Sequence, residues 1–177
     1  MRVWAAITET MSDPAADLAR IEVQLQRLQF AAFDEQAAWE LGSDLRDRAE
    51  ARGVAVTIEV RLHGATVFLT AMPGTAPANA DWARRKRNVV EVLHRPSYAV
   101  GREERRDGSS ILDQMALDPR DHAGHGGGFP ILVRGTGCVG VVTVSGLPQR
   151  ADHELVVEAL AARCGVPLAE VELPPAG

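Results

Sequence analysis

Leu18, Ile21, Leu25 and Leu28 recur at three- and four-residue steps between Asp17 and Phe30, the spacing of one apolar helix face. A second stripe follows at Ala38, Leu41, Leu45 and Ala49. Asp34 stands where an N-cap belongs, with Phe33 outside it as a staple and Gly53 as the stop. The period then changes from helical to alternating. Val54, Val56, Ile58, Val60 and Leu62 interleave with Ala55, Thr57, Glu59 and Arg61, which predicts a strand buried on one face. His63-Gly64 reads as a tight turn, and the apolar run Thr66 to Met72 stops at Pro73-Gly74, so the two runs predict an antiparallel hairpin.

A third helix is expected to start near Asn79 or Asp81, with Trp82, Lys86, Val89 and Leu93 on one face. Arg95 to Asp121 is polar and punctuated by glycine, and its tip GREERRDG reads as a mobile surface loop. Ser110 with Asp113 predicts a short helix over Ile111 to Ala116, and Asp118-Pro119 a turn or short helix ended by Gly124. A second hairpin follows: Phe129, Ile131 and Val133 alternate, Gly135-Thr136-Gly137 turns the chain, and Cys138 to Ser145 returns. Gly140 inside that run marks a bulge or a close approach. The last helix is expected to open at Asp152 and to bury Leu155, Val156, Ala159 and Leu160.

Tight turns impose antiparallel pairing and helices at both ends must cover the sheet, so the fold class is α+β. Its central antiparallel sheet has four to five strands. With 177 residues, 46% of them apolar, the chain matches one domain with a real core. That domain is placed at residues 17–165. Residues 1–16 read as a loose tail in which Met11 is an alternative start, and residues 166–177 as an extended arm.

The formal charge of −5 argues against a general nucleic-acid or membrane-surface binder. No apolar run reaches the length of a membrane span, and no signal peptide is evident, so the expected compartment is the cytoplasm. Cys138 and Cys164 suit reduced thiols better than a disulfide framework.

Chemistry enters through a few positions. Lys86 is an amine inside an apolar stripe, and it must snorkel to water, pair with a carboxylate or meet an anionic ligand. His125 abuts Gly126, Gly127 and Gly128, three glycines that imply bare backbone against a ligand or a packed neighbour. His125 itself is either a core histidine satisfied by backbone or a site residue. Asp152 and His153 sit near a helix start, where Asp152 is either a simple cap or a site carboxylate.

Three motif matches fail on context. Gly135 to Gly140 fits the dinucleotide fingerprint, yet a strand rather than a helix follows it. The HGGG turn is shared with esterase oxyanion loops, but no nucleophile elbow accompanies it. His122 and His125, completed by His153, have a ligand-like spacing that the intervening glycines make a poor metal face.

FDEQAAWELG, PGTAPANADWARRK, HGGGFPI and VGVVTVSGLPQRADHELVVEAL together resemble the uncharacterised branch of the haem-degrading-domain superfamily, relatives of the GlcG, HbpS and PduO C-terminal domains. The likeness spans about Leu28 to Leu160. It implies a profilin-like α/β/α sandwich assembled into homo-oligomers, and haem as a cofactor to test, with His125 as the best-placed axial ligand.

The leading expectation is a cytosolic oligomeric domain that binds a small anionic ligand near His125, the start of the last helix and Lys86. Its competitor is a non-catalytic assembly or partner-binding protein. A metal enzyme using His122, His125 and His153 is the third. Whether His125, His153, Asp152 and Lys86 converge is a question of tertiary structure.

Overall fold

A computed structural model describes residues 12–175. Helix α1 (Pro14–Arg27) begins four residues before the first leucine of its apolar stripe, because Asp13 caps it and Pro14 supplies the first-turn φ. Residues 14–16, expected in the tail, are therefore helical, and residues 1–11, Met11 included, lie outside the described residues. The helix also stops short of Phe30. Gln29–Phe30 form a two-residue strand, β1.

Helix α2 (Glu35–Ala51) starts at the expected cap, with the Asp34 side chain accepting from Ala37 N at 2.9 Å. Its whole apolar stripe is buried. Strands β2 (Thr57–Leu62) and β3 (Ala65–Ala71) form the predicted hairpin, and His63 and Gly64 both take positive φ in its turn. Strands β4 (Gly128–Val133) and β5 (Gly137–Ser145) form the second, with the expected irregularity opposite Gly140.

The five strands make one sheet in the order β1-β4-β5-β2-β3. Every pair is antiparallel except β1 with β4, which run parallel, so the sheet is mixed rather than purely antiparallel. A two-residue edge strand fed by a helix needs no hairpin, which is why turn signals did not reveal it.

Helices α2 and α6 (Gln149–Cys164) cover one face, where Leu41, Leu45, Ile58, Val142, Val144, Leu155 and Val156 share the main core. Helix α3 (Pro77–Leu93) covers the other. Strand β2 is central and buried on both faces: Thr57 and Glu59 lie under α3, and Glu59 is matched by Arg87 at 2.9 Å. The alternation in its sequence records only the face toward α2 and α6.

Two segments read as irregular are ordered. The segment expected as a mobile loop is helix α4 (Ser97–Asp107), whose first half buries Tyr98, Ala99 and Val100 against α1 and α3. Its charged second half hid this, since GREERRDG has no apolar stripe. A four-residue helix, α5 (Ile111–Gln114), follows, capped by Ser110 as expected. The C-terminal arm is not a free extension either: a 3-10 turn at Leu168–Glu170 brings Val171 and Leu173 into the interior, and Gln24 Nε2 donates to Val171 O at 2.7 Å.

Candidate functional site

Strand β5 delivers its last residues to one end of the sheet, where the first turn of α3, the turn before β4 and the first turn of α6 also meet. Between them lies a cleft of about 480 Å³, with Trp82 and Asn79 on one wall, Gly146, Leu147 and Gln149 on another, and Lys86, Asp152 and His125 among its lining.

Lys86 cannot snorkel. It sits in mid-helix on the buried stripe with Ala83, Val89 and Val90, and is only 3% exposed. Its ammonium donates to Asp152 Oδ2 at 2.8 Å and to Val144 O at 3.1 Å. Asp152, 1% exposed, also accepts from Leu147 N at 3.0 Å and Gly146 N at 3.3 Å.

Helix α6 starts at Gln149 behind Pro148, so Asp152 lies a turn inside it and is not its cap. Its carboxylate folds back over the loop that leaves β5. Burial pushes the Lys86 amine down and the Asp152 carboxyl up from their ordinary values, and each charge opposes the other's shift. An ammonium has three donors. Two are used here, and the third has no protein acceptor among the described residues, on a side chain that lines the cleft.

His125 is exposed at the cleft's mouth, its ring edge-on to Trp82 with centroids 4.9 Å apart. The glycines after it do not line the cleft. Gly126, Gly127 and Gly128 are buried behind it, and a Cβ on Gly127, at φ +125°, would stand 2.2 Å from Val144 O and 3.0 Å from Lys86 Nζ. A Cβ on Gly126 would stand 1.9 Å from Gln149 O. Of the two meanings left open for the turn, the packed neighbour is the one observed. The glycines let β4 and α6 close together and leave the amine its space.

His153 does not join the cleft. One residue on from Asp152 is about 100° further round the helix, and there the ring is fully buried between Tyr98 and Phe129. Its Nε2 lies 2.9 Å from Gln24 Oε1, while Nδ1 has no partner among the described residues. Burial, aided by Arg150, pushes its pKa down to about 3. His122 holds its own turn through Nδ1, 3.1 Å from Asp118 O. Among the described residues no three His, Cys, Asp or Glu side chains are grouped to hold a metal ion, so His122, His125 and His153 do not form the set that a metal enzyme needs.

The structure thus brings together Lys86, Asp152 and His125, and adds Trp82, Asn79 and Gln149. Gln149 carried no sequence signal of its own, since the last helix was expected to open at Asp152. Asn79 accepts from Ala76 N at 2.8 Å and closes the first turn of α3. The N-termini of two long helices, α3 and α6, therefore border one cleft. The Lys86–Asp152 pair adds no net charge there, so the positive ends of the two helix dipoles set the sign and favour an anion.

An α/β/α sandwich with a polar cleft between two helix N-termini at one end of its sheet is the class of protein defined so far. The family model described as haem degrading protein HbpS-like matches residues 33–161, and the chain belongs to that family. It is 59% identical over 157 residues to a UPF0303 protein of Azotobacter vinelandii, covering 89% of this chain and 95% of the relative. A UPF0303 protein of Rhizobium etli is 51% identical, over 90% and 96% of the two chains.

Among solved structures, the Ybr137w protein superposes with a TM-score of 0.76 at 26% identity, over 84% of this chain and 87% of that one. A PduOC:heme complex superposes at 0.62 with 18% identity, over 74% and 93%, a likeness of fold alone. No helix among the described residues is long and apolar enough to cross a membrane.

Proposed function

We propose that this chain binds a small anionic ligand, a carboxylate first of all, in the cleft between the N-termini of α3 and α6. The observation that carries the reading is the unspent third donor of Lys86, on an amine almost wholly removed from water beside two positive helix ends. Trp82 offers an apolar wall and His125 a polar mouth. The free thiols of Cys138 and Cys164 suit the cytoplasm as its compartment.

Calorimetric titration with acetate, lactate and pyruvate tests this. Saturable binding is expected for at least one of them, weakened roughly tenfold to a hundredfold in Lys86→Met, the loss that follows removal of a hydrogen bond to a charged group. Absence of saturable binding for all three in the wild type would end the proposal.

Haem is the second reading, and His125 is the observation that favours it. The cleft's donor chemistry fits: the His125 imidazole at the mouth would hold the iron through a ring nitrogen, beside the Trp82 ring. The family description and the haem complex of a structural neighbour support the same choice. Bound haem would supply iron redox chemistry; the chain would supply the axial nitrogen and a field that favours the propionates. A haemin titration followed by absorbance should show a saturable Soret shift that His125→Ala loses. An identical shift in the variant would remove His125 from that role.

A further inference from the structure

The chain has nineteen basic side chains of the Lys and Arg type, and eighteen of them are arginine. Its single lysine is Lys86, and that lysine is the buried one at the floor of the cleft. Arginine keeps its proton under all ordinary conditions, whereas a buried lysine releases one readily and becomes a nucleophile.

From this placement we propose that Lys86 forms an imine with a small oxo acid, a ligand that carries an electrophilic carbonyl beside its carboxylate. The inference rests on the cleft being the anion site argued above, and it names the ligand class for that site.

The parts are in place for each step. Asp152 Oδ2, 2.8 Å from Nζ, is the acceptor for a proton from the ammonium. The freed lone pair bonds to the carbonyl carbon, and Asp152 returns the proton to the carbonyl oxygen. The resulting hydroxyl leaves as water, taking a second proton from nitrogen, and a C=N iminium remains. One ammonium and one carbonyl become one iminium and one water; nothing is oxidised or reduced, and Asp152 ends as the carboxylate it began.

The helix N-termini hold the ligand's carboxylate, leaving its carbonyl for the amine. The partial desolvation that lowers the ammonium's hold on its proton is the same burial that excludes competing water. Gly127, behind the cleft, leaves Nζ its position, since any Cβ there would crowd the amine.

Wild-type protein carries the test, so no variant has to fold. It is incubated with pyruvate, or with lactate, which has the same carboxylate and no carbonyl. Borohydride is then added, the protein is digested, and the peptides are weighed. Pyruvate is expected to leave a carboxyethyl adduct at Lys86 that saturates with its concentration and is competed away by lactate. Lactate alone should leave none. The N-terminal amine serves as the non-specific reference.

Binding of both acids with Lys86 unmodified would overturn the imine and leave the anion site standing. Failure of both to bind would overturn the two together. Asp152→Asn tests the proton path: loss of the counter-charge should move the pH profile of trapping to lower pH, and an unmoved profile would remove Asp152 from the chemistry.

Discussion

Two clusters of buried charge meet at the start of α6, and they differ in whether their charges line the cleft. In one, the Asp17 carboxylate is met by Ser12 Oγ at 2.9 Å, Arg102 Nε at 3.1 Å, Arg150 Nη1 at 3.0 Å and Tyr98 Oη at 3.2 Å. Arg150 also donates to Pro174 O and Arg102 to Ser12 O, so the cluster ties α1, α4, α6 and the C-terminal arm together. Burial and the Asp17 charge push the Tyr98 hydroxyl up to about 12, which keeps it a donor. In the other cluster Lys86 faces a cleft with a donor to spare. Burial of charge is common to both, so burial alone does not mark a site. A place on the cleft wall, with a donor to spare there, does.

The largest expected effect comes from cutting the enclosed cluster. Asp17→Ala leaves two guanidinium groups without their carboxylate and should cost about 3–5 kcal/mol in urea unfolding, the range for breaking a buried ion pair. The same variant, where folded, should bind carboxylates as the wild type does. Weakened ligand binding with stability intact would show that the two clusters are one site and erase the distinction.

A smaller effect follows from His153, which belongs to the enclosed interior. Its folded pKa of about 3 lies below the ordinary 6.5, so between those values the unfolded chain binds the extra proton. Stability should be level above pH 6.5 and fall by about 1.4 kcal/mol per pH unit as pH drops below it. His153→Gln should flatten that part of the profile. Equal slopes for variant and wild type would assign the pH dependence to other groups.

The smallest effect on stability is expected at the surface. Leu69, 65% exposed on edge strand β3, is an apolar position that tests the homo-oligomer expected from the family resemblance. Leu69→Lys should lower the mass measured by light scattering while changing the unfolding free energy by less than about 0.5 kcal/mol. A monomeric wild type would end that expectation.

Much of this was legible along the chain where neighbours in sequence settle the outcome. The α2 stripe with its Asp34 cap, both hairpins with their glycine turns and the apolar face of α6 all depend on local period and turn chemistry. Lys86 was visible for the same reason, as one amine in an apolar stripe. Asp17 and Gln24 carried a similar sign, polar residues on the buried face of α1 with Leu18 and Ile21.

Long-range packing was not legible. Helix α4 owes its place to Tyr98, Ala99 and Val100, pressed against α1 and α3, and β1 pairs with a strand about a hundred residues away, across a parallel ladder that no turn announces.

By itself, then, the sequence determined the elements and the residue types available for chemistry, because period, capping and turn geometry act over a few residues. Which of the candidates meet was decided by tertiary structure. Asp152 and His153 are neighbours in the chain, yet the helix turns one toward Lys86 and the cleft and the other into the core beside Gln24. The glycine turn, with Gly127 closest to the amine, became a spacer that leaves Lys86 room and not a wall of the site, because β4, β5 and α6 close over it. Such choices depend on what fills the space between elements, and that space exists only once the sheet and its helices have packed.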